Sequence, residues 1–236
     1  MSATFSLEGK NAVVTGLSTG IGRAIAEALA REGANVAGDY QKDAEGAAIT
    51  EGLIEAQGRE ALIIRGSTAD EAHIDDMADQ VVERWGSLDI WVNNAARIFV
   101  KPFIEMTTDE WHGLLAANLH GYMLGCRAAA RKMAVQDGPG RINNITSQSS
   151  VQAINGFSAY STAKGGISGL TRVLAMELAE YDITVNAVAP GPTDTPLNTT
   201  AWTPKARQTY IERIGLHRIA TAEESADVVC FVASHA

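Results

Sequence analysis

The chain has 236 residues, 46% hydrophobic and 20% charged, enough for one large α/β domain with its own core. Its formal net charge of -9 argues against non-specific binding to nucleic acid or to an anionic membrane. No stretch approaches the ~20 apolar residues of a membrane span, and the N-terminus lacks the basic start and apolar run of a signal peptide.

The first predicted element is a short β-rich run, "NAVVTG" at Asn11 to Gly16, followed by a glycine-punctuated turn and a helical pattern marked by Ile21, Ile25, Ala28 and Leu29. Gly16, Gly20 and Gly22 have the spacing G-x3-G-x-G, with Ser18, Thr19 and Ile21 between them. Glycines there turn the chain sharply and admit a pyrophosphate to the backbone, while the helix N-terminus offers free N–H groups and a partial positive charge. A turn that only packs tightly would have the same composition. The strand before it, the helix after it and the second strand "NVAGDY" (Asn35 to Tyr40) favour nucleotide binding.

A third strand, "ALIIRG", leads to Ser67 and Thr68, and a helical pattern follows at Ile74, Met77, Val81 and Trp85. The fourth strand, "LDIWVNN", ends in Asn94, Ala95 and Ala96, which reads either as a polar turn or as a close wall beside a cofactor. One long helix is expected over Thr108–Val135, then strand five, "RINNIT". "SAYSTAKGG" opens another long helix, Ala159–Tyr181, and strand six, "ITVNAVAP", runs into the loop "PGPTDTP". Strands alternating with helices over short loops predict an α/β fold, with one doubly wound parallel sheet and helices on both faces. No linker or repeat divides residues 1–236, so a single domain is expected, with a substrate loop at about 191–216.

Tyr160 and Lys164 are four residues apart on a predicted helix and so share a face. A phenol ordinarily titrates near pH ~10 and is a poor base at neutral pH. An ammonium about 4 Å away would favour the phenolate by roughly 4 kcal/mol at an effective dielectric near 20, enough to make a working acid/base. An exposed Tyr and Lys on a solvated face would show the same spacing. Tyr160 is nevertheless the only tyrosine with a lysine at +4.

"TGLSTGIG", "NNA", Asn118 in "ANLHGY", Ser147 in "NITSQSS", "YSTAK" and "APGPTDTP" occur in that order. Together they resemble the short-chain dehydrogenase/reductase family from Gly9 to the end of the chain. The resemblance implies a Rossmann-type fold, NAD or NADP as cofactor, and hydride exchange with an alcohol or carbonyl. It makes Tyr160 the acid/base and has Lys164 both lower its pKa and hold the nicotinamide ribose. Ser147 would bond the reacting oxygen, and Asn118 would anchor a water that links the lysine to solvent. Pro190, Gly191, Thr193 and Thr195 would face the nicotinamide. A homo-oligomer, a tetramer, is expected, with the small residues Ala128, Ala129, Ala163, Gly166 and Gly169 at its contacts. The family's last strand would follow "CFVASHA", where this chain stops.

Cofactor choice turns on the end of strand two. The usual acid position there holds Tyr40, with Asp39 before it and Gln41 after it. Asp39 would repel a 2′-phosphate, which favours NAD, although Arg23 and Lys42 could reach one. It could equally be a turn residue. Ser67 stands where an aspartate usually meets the adenine. On the substrate side Ser147, Ser149, Ala153, Phe157 and Trp202, with Arg97, are expected to form a small pocket for a sugar, polyol or small secondary alcohol. The rival readings are a 3-oxoacyl-carrier-protein reductase and a non-catalytic nucleotide-sensing module. His73, His112, His120, His217 and His235 are scattered, so no metal site is expected. Cys126 and Cys230, the only cysteines, form no disulfide framework and fit a reducing cytoplasm.

Overall fold

The computed structural model describes residues 5–199 and 202–234. Six parallel strands, β1 (Asn11–Val14), β2 (Asn35–Tyr40), β3 (Ala61–Arg65), β4 (Ile90–Asn93), β5 (Gly140–Ile145) and β6 (Ile183–Val188), form one sheet in the order β3-β2-β1-β4-β5-β6. All six lie where the short apolar runs place them. Their register is tight at the centre, with Val14 opposite both Gly38 and Val92, and Asn93 opposite Asn144.

Strand side chains alternate between two buried faces. Ala12, Val14, Val36, Ile90 and Val92 belong to the core shared with helices α1 (Gly20–Arg31), α2 (Ala44–Ala56) and α9 (Ala222–Ala233). Val13, Ala37, Trp91, Ile142 and Val185 pack under α3 (Glu71–Trp85), α5 (Gly121–Met133) and α6 (Ser158–Glu177). Burying each such side chain contributes about 1.5–3 kcal/mol. Local signals fix the helix ends. Asp43 and Asp70 cap α2 and α3, left-handed Gly86 stops α3, and a Thr221–Glu224 capping box starts α9.

The expected single helix over 108–135 is instead α4 (Thr108–Leu115), a π-helical turn at Ala116–His120, and α5. The wide turn carries Asn118 inward. Such turns recur at functional sites and leave no trace in hydrophobic periodicity. Ala128, Ala129 and Ala163, expected at subunit contacts, are fully buried in the core, because the helices need small residues to lie close to the sheet. The loop after β6 carries α7 (Pro196–Thr199) and α8 (Pro204–Arg213), and Thr193 makes an isolated bridge to Ala220. No seventh strand follows α9 among the described residues.

Candidate active site

The sheet order reverses between β1 and β4, and the crevice at the C-terminal ends of the strands is where an open α/β sheet binds ligands. A cavity of about 520 Å³ opens there. Every residue expected to bind cofactor lines it, from Gly16 to Gly22 through Asp39, Tyr40, Gln41, Ser67, Thr68 and Asn94 to Thr195.

Its phosphate end is built by close backbone approach. Gly16 has φ +68°, and a Cβ there would lie 2.8 Å from Ala95 Cα. A Cβ on Gly22 would lie 2.3 Å from the Gly16 carbonyl oxygen. Asn94 ties this loop to β4, its Nδ2 donating to the Thr15 and Gly16 carbonyls at 2.9 and 3.2 Å. Thr19, the N-cap of α1, makes no side-chain capping bond, and the first turn holds no acid. The free N–H groups and positive dipole end of α1 therefore fit a pyrophosphate.

The adenosine end departs from expectation. Asp39 is 2% exposed, and both of its oxygens are engaged, Oδ1 by the Gly16 N–H at 2.7 Å and Oδ2 by His73 Nε2 at 3.1 Å. Arg23 faces away from the cavity, its guanidinium bonded to the Ser18 and Gly46 carbonyls and Thr50 Oγ1, and Lys42 is exposed at the start of the next loop. Of the two basic groups expected within reach of a 2′-phosphate, Arg23 is thus spent on holding α2 to the glycine loop.

At the other end, Ser147 follows β5 in extended backbone and caps the turn Gln148–Ser150, its Oγ accepting the Ser149 N–H at 3.2 Å. Tyr160, one turn into α6, lines the same cavity as Ser147. Burial raises the Tyr160 pKa, and the nearby Ser147 side chain offsets part of that rise. Lys164 is 1% exposed. Its Nζ donates to the Ile145 carbonyl at 2.6 Å and to Tyr122 Oη at 2.9 Å, and stands 5.7 Å from the Tyr160 ring centre. Burial lowers its pKa to about 7. The lysine shares the face with Tyr160 as expected, yet its bonds run to α5 and β5, and the tyrosine pKa is raised. Tyr122, in α5, is the side chain that meets it.

Asn118 does not reach the cavity. Its Oδ1 accepts the Arg97 N–H at 2.8 Å and its Nδ2 donates to the Arg97 carbonyl at 2.7 Å, so the side chain fixes the loop after β4. Ser149 and Ala153, expected beside the substrate, are not on the wall either. The tight turn carries the Ser149 hydroxyl inward, and Ala153 is exposed. Phe157 and Trp202 do line the cavity, with Arg97, Ile98, Gln148, Ile154, Leu197 and Tyr210. The Trp202 and Tyr210 rings meet with centroids 5.0 Å apart and planes tilted by 40°. Residues 200 and 201 of the expected substrate loop lie outside the described residues.

A sequence profile described as Enoyl-(Acyl carrier protein) reductase matches residues 16–236. The chain is 34% identical to the 3beta-hydroxysteroid dehydrogenase 1 of Eggerthella lenta, covering 97% of this chain and 88% of that one. It is 35% identical to the glucose 1-dehydrogenase 2 of Bacillus subtilis over 97% of this chain and 89% of that one. A short-chain dehydrogenase from Burkholderia cenocepacia, solved in complex with NADP, superposes with a TM-score of 0.90 at 37% identity, covering 97% and 91% of the two chains.

Proposed function

The chain belongs to the short-chain dehydrogenase/reductase family, and from that we propose that it moves a hydride between a nicotinamide cofactor and the carbinol or carbonyl carbon of a small alcohol, polyol, sugar or ketone. The observation that carries this reading is that Ser147, Tyr160 and Lys164 line the same cavity as the glycine loop. A bound nicotinamide supplies or accepts the hydride. The chain's own residues do the rest.

Ser147 Oγ accepts the Ser149 N–H, and its own hydrogen would donate to the reacting oxygen, where charge develops. Burial keeps Tyr160 protonated at neutral pH, which suits it to hand its proton to that oxygen as a carbonyl is reduced. In the reverse direction the phenolate takes the alcohol proton. Lys164 spends two donors on Ile145 and Tyr122, leaving the third for a ligand hydroxyl. The Gly16–Gly22 loop would hold the pyrophosphate. Tyr40, Gln41, Ser67 and Thr68 would border the adenosine, and Pro190, Gly191, Thr193 and Thr195 the nicotinamide. Asp39 leaves the adenosine end negative at alkaline pH, which favours NAD.

Ile98, Ile154, Phe157, Leu197 and Trp202 make the substrate end largely apolar. That favours a secondary alcohol or ketone with an apolar substituent over a fully hydroxylated sugar. A carrier-bound 3-oxoacyl substrate is the second reading, on the strength of the profile's description. Its acidic carrier would need free cations at the mouth. Arg207 is paired with Asp194 at 2.8 Å and Lys101 with Glu110 at 2.7 Å, while Arg97 on the cavity wall is exposed.

The test is a panel of secondary alcohols, polyols, sugars and the matching ketones, run with each cofactor and read as nicotinamide absorbance. Turnover concentrated in small apolar alcohols supports the reading, and turnover of carrier-linked acyl chains alone would replace it. We further propose a homo-oligomer, a tetramer, in the cytoplasm. Met176, 82% exposed on α6, and the exposed Phe103 and Ile104 are apolar surface of the kind that subunits cover, and both cysteines are buried thiols. A monomeric mass in solution would contradict the assembly.

A further inference from the structure

Asp39 and His73 form a hydrogen-bonded pair at the adenosine end of the cavity that the chemistry of Ser147, Tyr160 and Lys164 does not use. Asp39 lies at the end of β2 on the cavity wall. His73, in the first turn of α3, stands behind it with a side chain 9% exposed. The ring is wedged over Gly66, where a Cβ would lie 2.1 Å from Nδ1. Only a residue without a side chain fits there. With Nε2 held 3.1 Å from Asp39 Oδ2, that nitrogen carries the hydrogen in the neutral ring, and the titrating proton goes to Nδ1.

The groups acting on the ring are carboxylates. Asp39 faces it from β2, and Asp70 and Asp76 from the start of α3. From α5, which packs on α3, Arg127 and Lys132 turn to Glu71 and Asp79. The Asp39 hydrogen bond, above all, raises the His73 pKa against the opposing effect of burial. On the other side of Asp39, Tyr40 and Gln41 line the cavity, Arg23 is bonded elsewhere, and Lys42 is exposed in the following loop, off the cavity lining.

We propose that His73 is a specificity-determining residue whose proton sets the choice between NAD and NADP. With the imidazole neutral, Asp39 places an uncancelled negative charge on the wall and disfavours a 2′-phosphate. With the imidazolium formed, that charge is cancelled and the 2′-phosphate is accepted. Binding of NADP then draws a proton onto His73, and binding of NAD, with only a 2′-hydroxyl, does not. This rests on the nicotinamide-cofactor reading above.

The experiment is calorimetric titration of NAD+ and of NADP+, without substrate, into the full chain and its His73→Gln variant at pH 5.5, 7 and 8.5. Glutamine can keep a neutral N–H on Asp39 but cannot take the proton. The 2′-phosphate itself titrates near ~6 and does so equally in both proteins, so the comparison between them isolates His73. At pH 5.5 the original chain should bind NADP+ relative to NAD+ roughly five- to tenfold better than the variant does, and the two should agree at pH 8.5. Equal ratios at pH 5.5 would overturn the proposal. Should the variant not fold, the His73 titration followed by NMR in the unsubstituted chain decides. A higher pKa with NADP+ than with NAD+ bound supports it, and equal values overturn it. If neither dinucleotide binds, the cofactor reading itself falls and this inference falls with it.

Discussion

Lys164 Nζ lies 2.9 Å from the hydroxyl of Tyr122, at the centre of the protein and out of contact with solvent. Tyr122 Oη in turn donates to the Ile145 carbonyl at 3.0 Å, so the tyrosine presents a lone pair to the ammonium. Burial pushes the Tyr122 pKa well above its ordinary value, which keeps that hydroxyl neutral. On the proposed mechanism Tyr122 is a positioning residue acting through Lys164.

Replacing Tyr122 with Phe removes one acceptor from the ammonium and leaves the Ile145 carbonyl. A hydrogen bond to a charged group contributes about 1.5–3 kcal/mol, so kcat/KM should fall at least about tenfold. A parallel shift in the pH profile separates this from a mere loss of packing, since the Lys164 and Tyr160 titrations are neighbours. Unchanged turnover and an unchanged profile would mean that the carbonyl alone positions the lysine.

Lys164 itself should cost stability. Its pKa falls from the ordinary 10.5 to about 7 on folding, so the unfolded chain binds more protons between those values. Stability from this group therefore rises as pH climbs from about 7 toward 10.5, and the full penalty applies below about 7. Lys164→Met should raise Tm by a few degrees at pH 6, and the advantage should shrink at pH 9 while turnover is lost at both. Equal Tm values at pH 6 would show that the bonds to Ile145 and Tyr122 offset the burial of the charge in full.

The glycine loop should be intolerant of a single methyl. Gly22→Ala sets a Cβ 2.3 Å from the Gly16 carbonyl and 2.5 Å from Asn94 Nδ2, both of which shape the phosphate end. Dinucleotide affinity should drop by tenfold or more. Because the backbone must move by more than flexible side chains allow, stability should also fall, by about 1–3 kcal/mol. Titration calorimetry and thermal unfolding of the same variant check both effects, and native affinity would show that the loop relaxes freely.

The sheet was legible because strands buried on both faces read as short apolar runs between glycine, asparagine and proline. The chemical end was legible where spacing carries geometry. Tyr160 and Lys164 share a helix face whatever surrounds them, and the glycine triplet implies close backbone approach. Partners drawn from distant elements were not. The Asp39–His73 and Lys164–Tyr122 contacts span 34 and 42 residues, and only the folded sheet brings them together. The same limit applies to Ser149 and Ala153, whose distance from Ser147 along the chain says nothing about which way a tight turn points them. Asn118 was singled out by the resemblance that "ANLHGY" carries, but the π-helical turn that directs it to Arg97 has no periodic signature.

The central claim is that Tyr160 moves the proton while other groups hold the cofactor. Its most direct test is the Tyr160→Phe variant, measured for turnover and, separately, for dinucleotide binding by fluorescence titration. The account predicts turnover reduced by at least about a thousandfold with the cofactor dissociation constant changed only a few-fold, because the ring and its packing on Phe157 remain. Turnover within tenfold of the unsubstituted chain would contradict it and would place the acid/base elsewhere on the cavity wall.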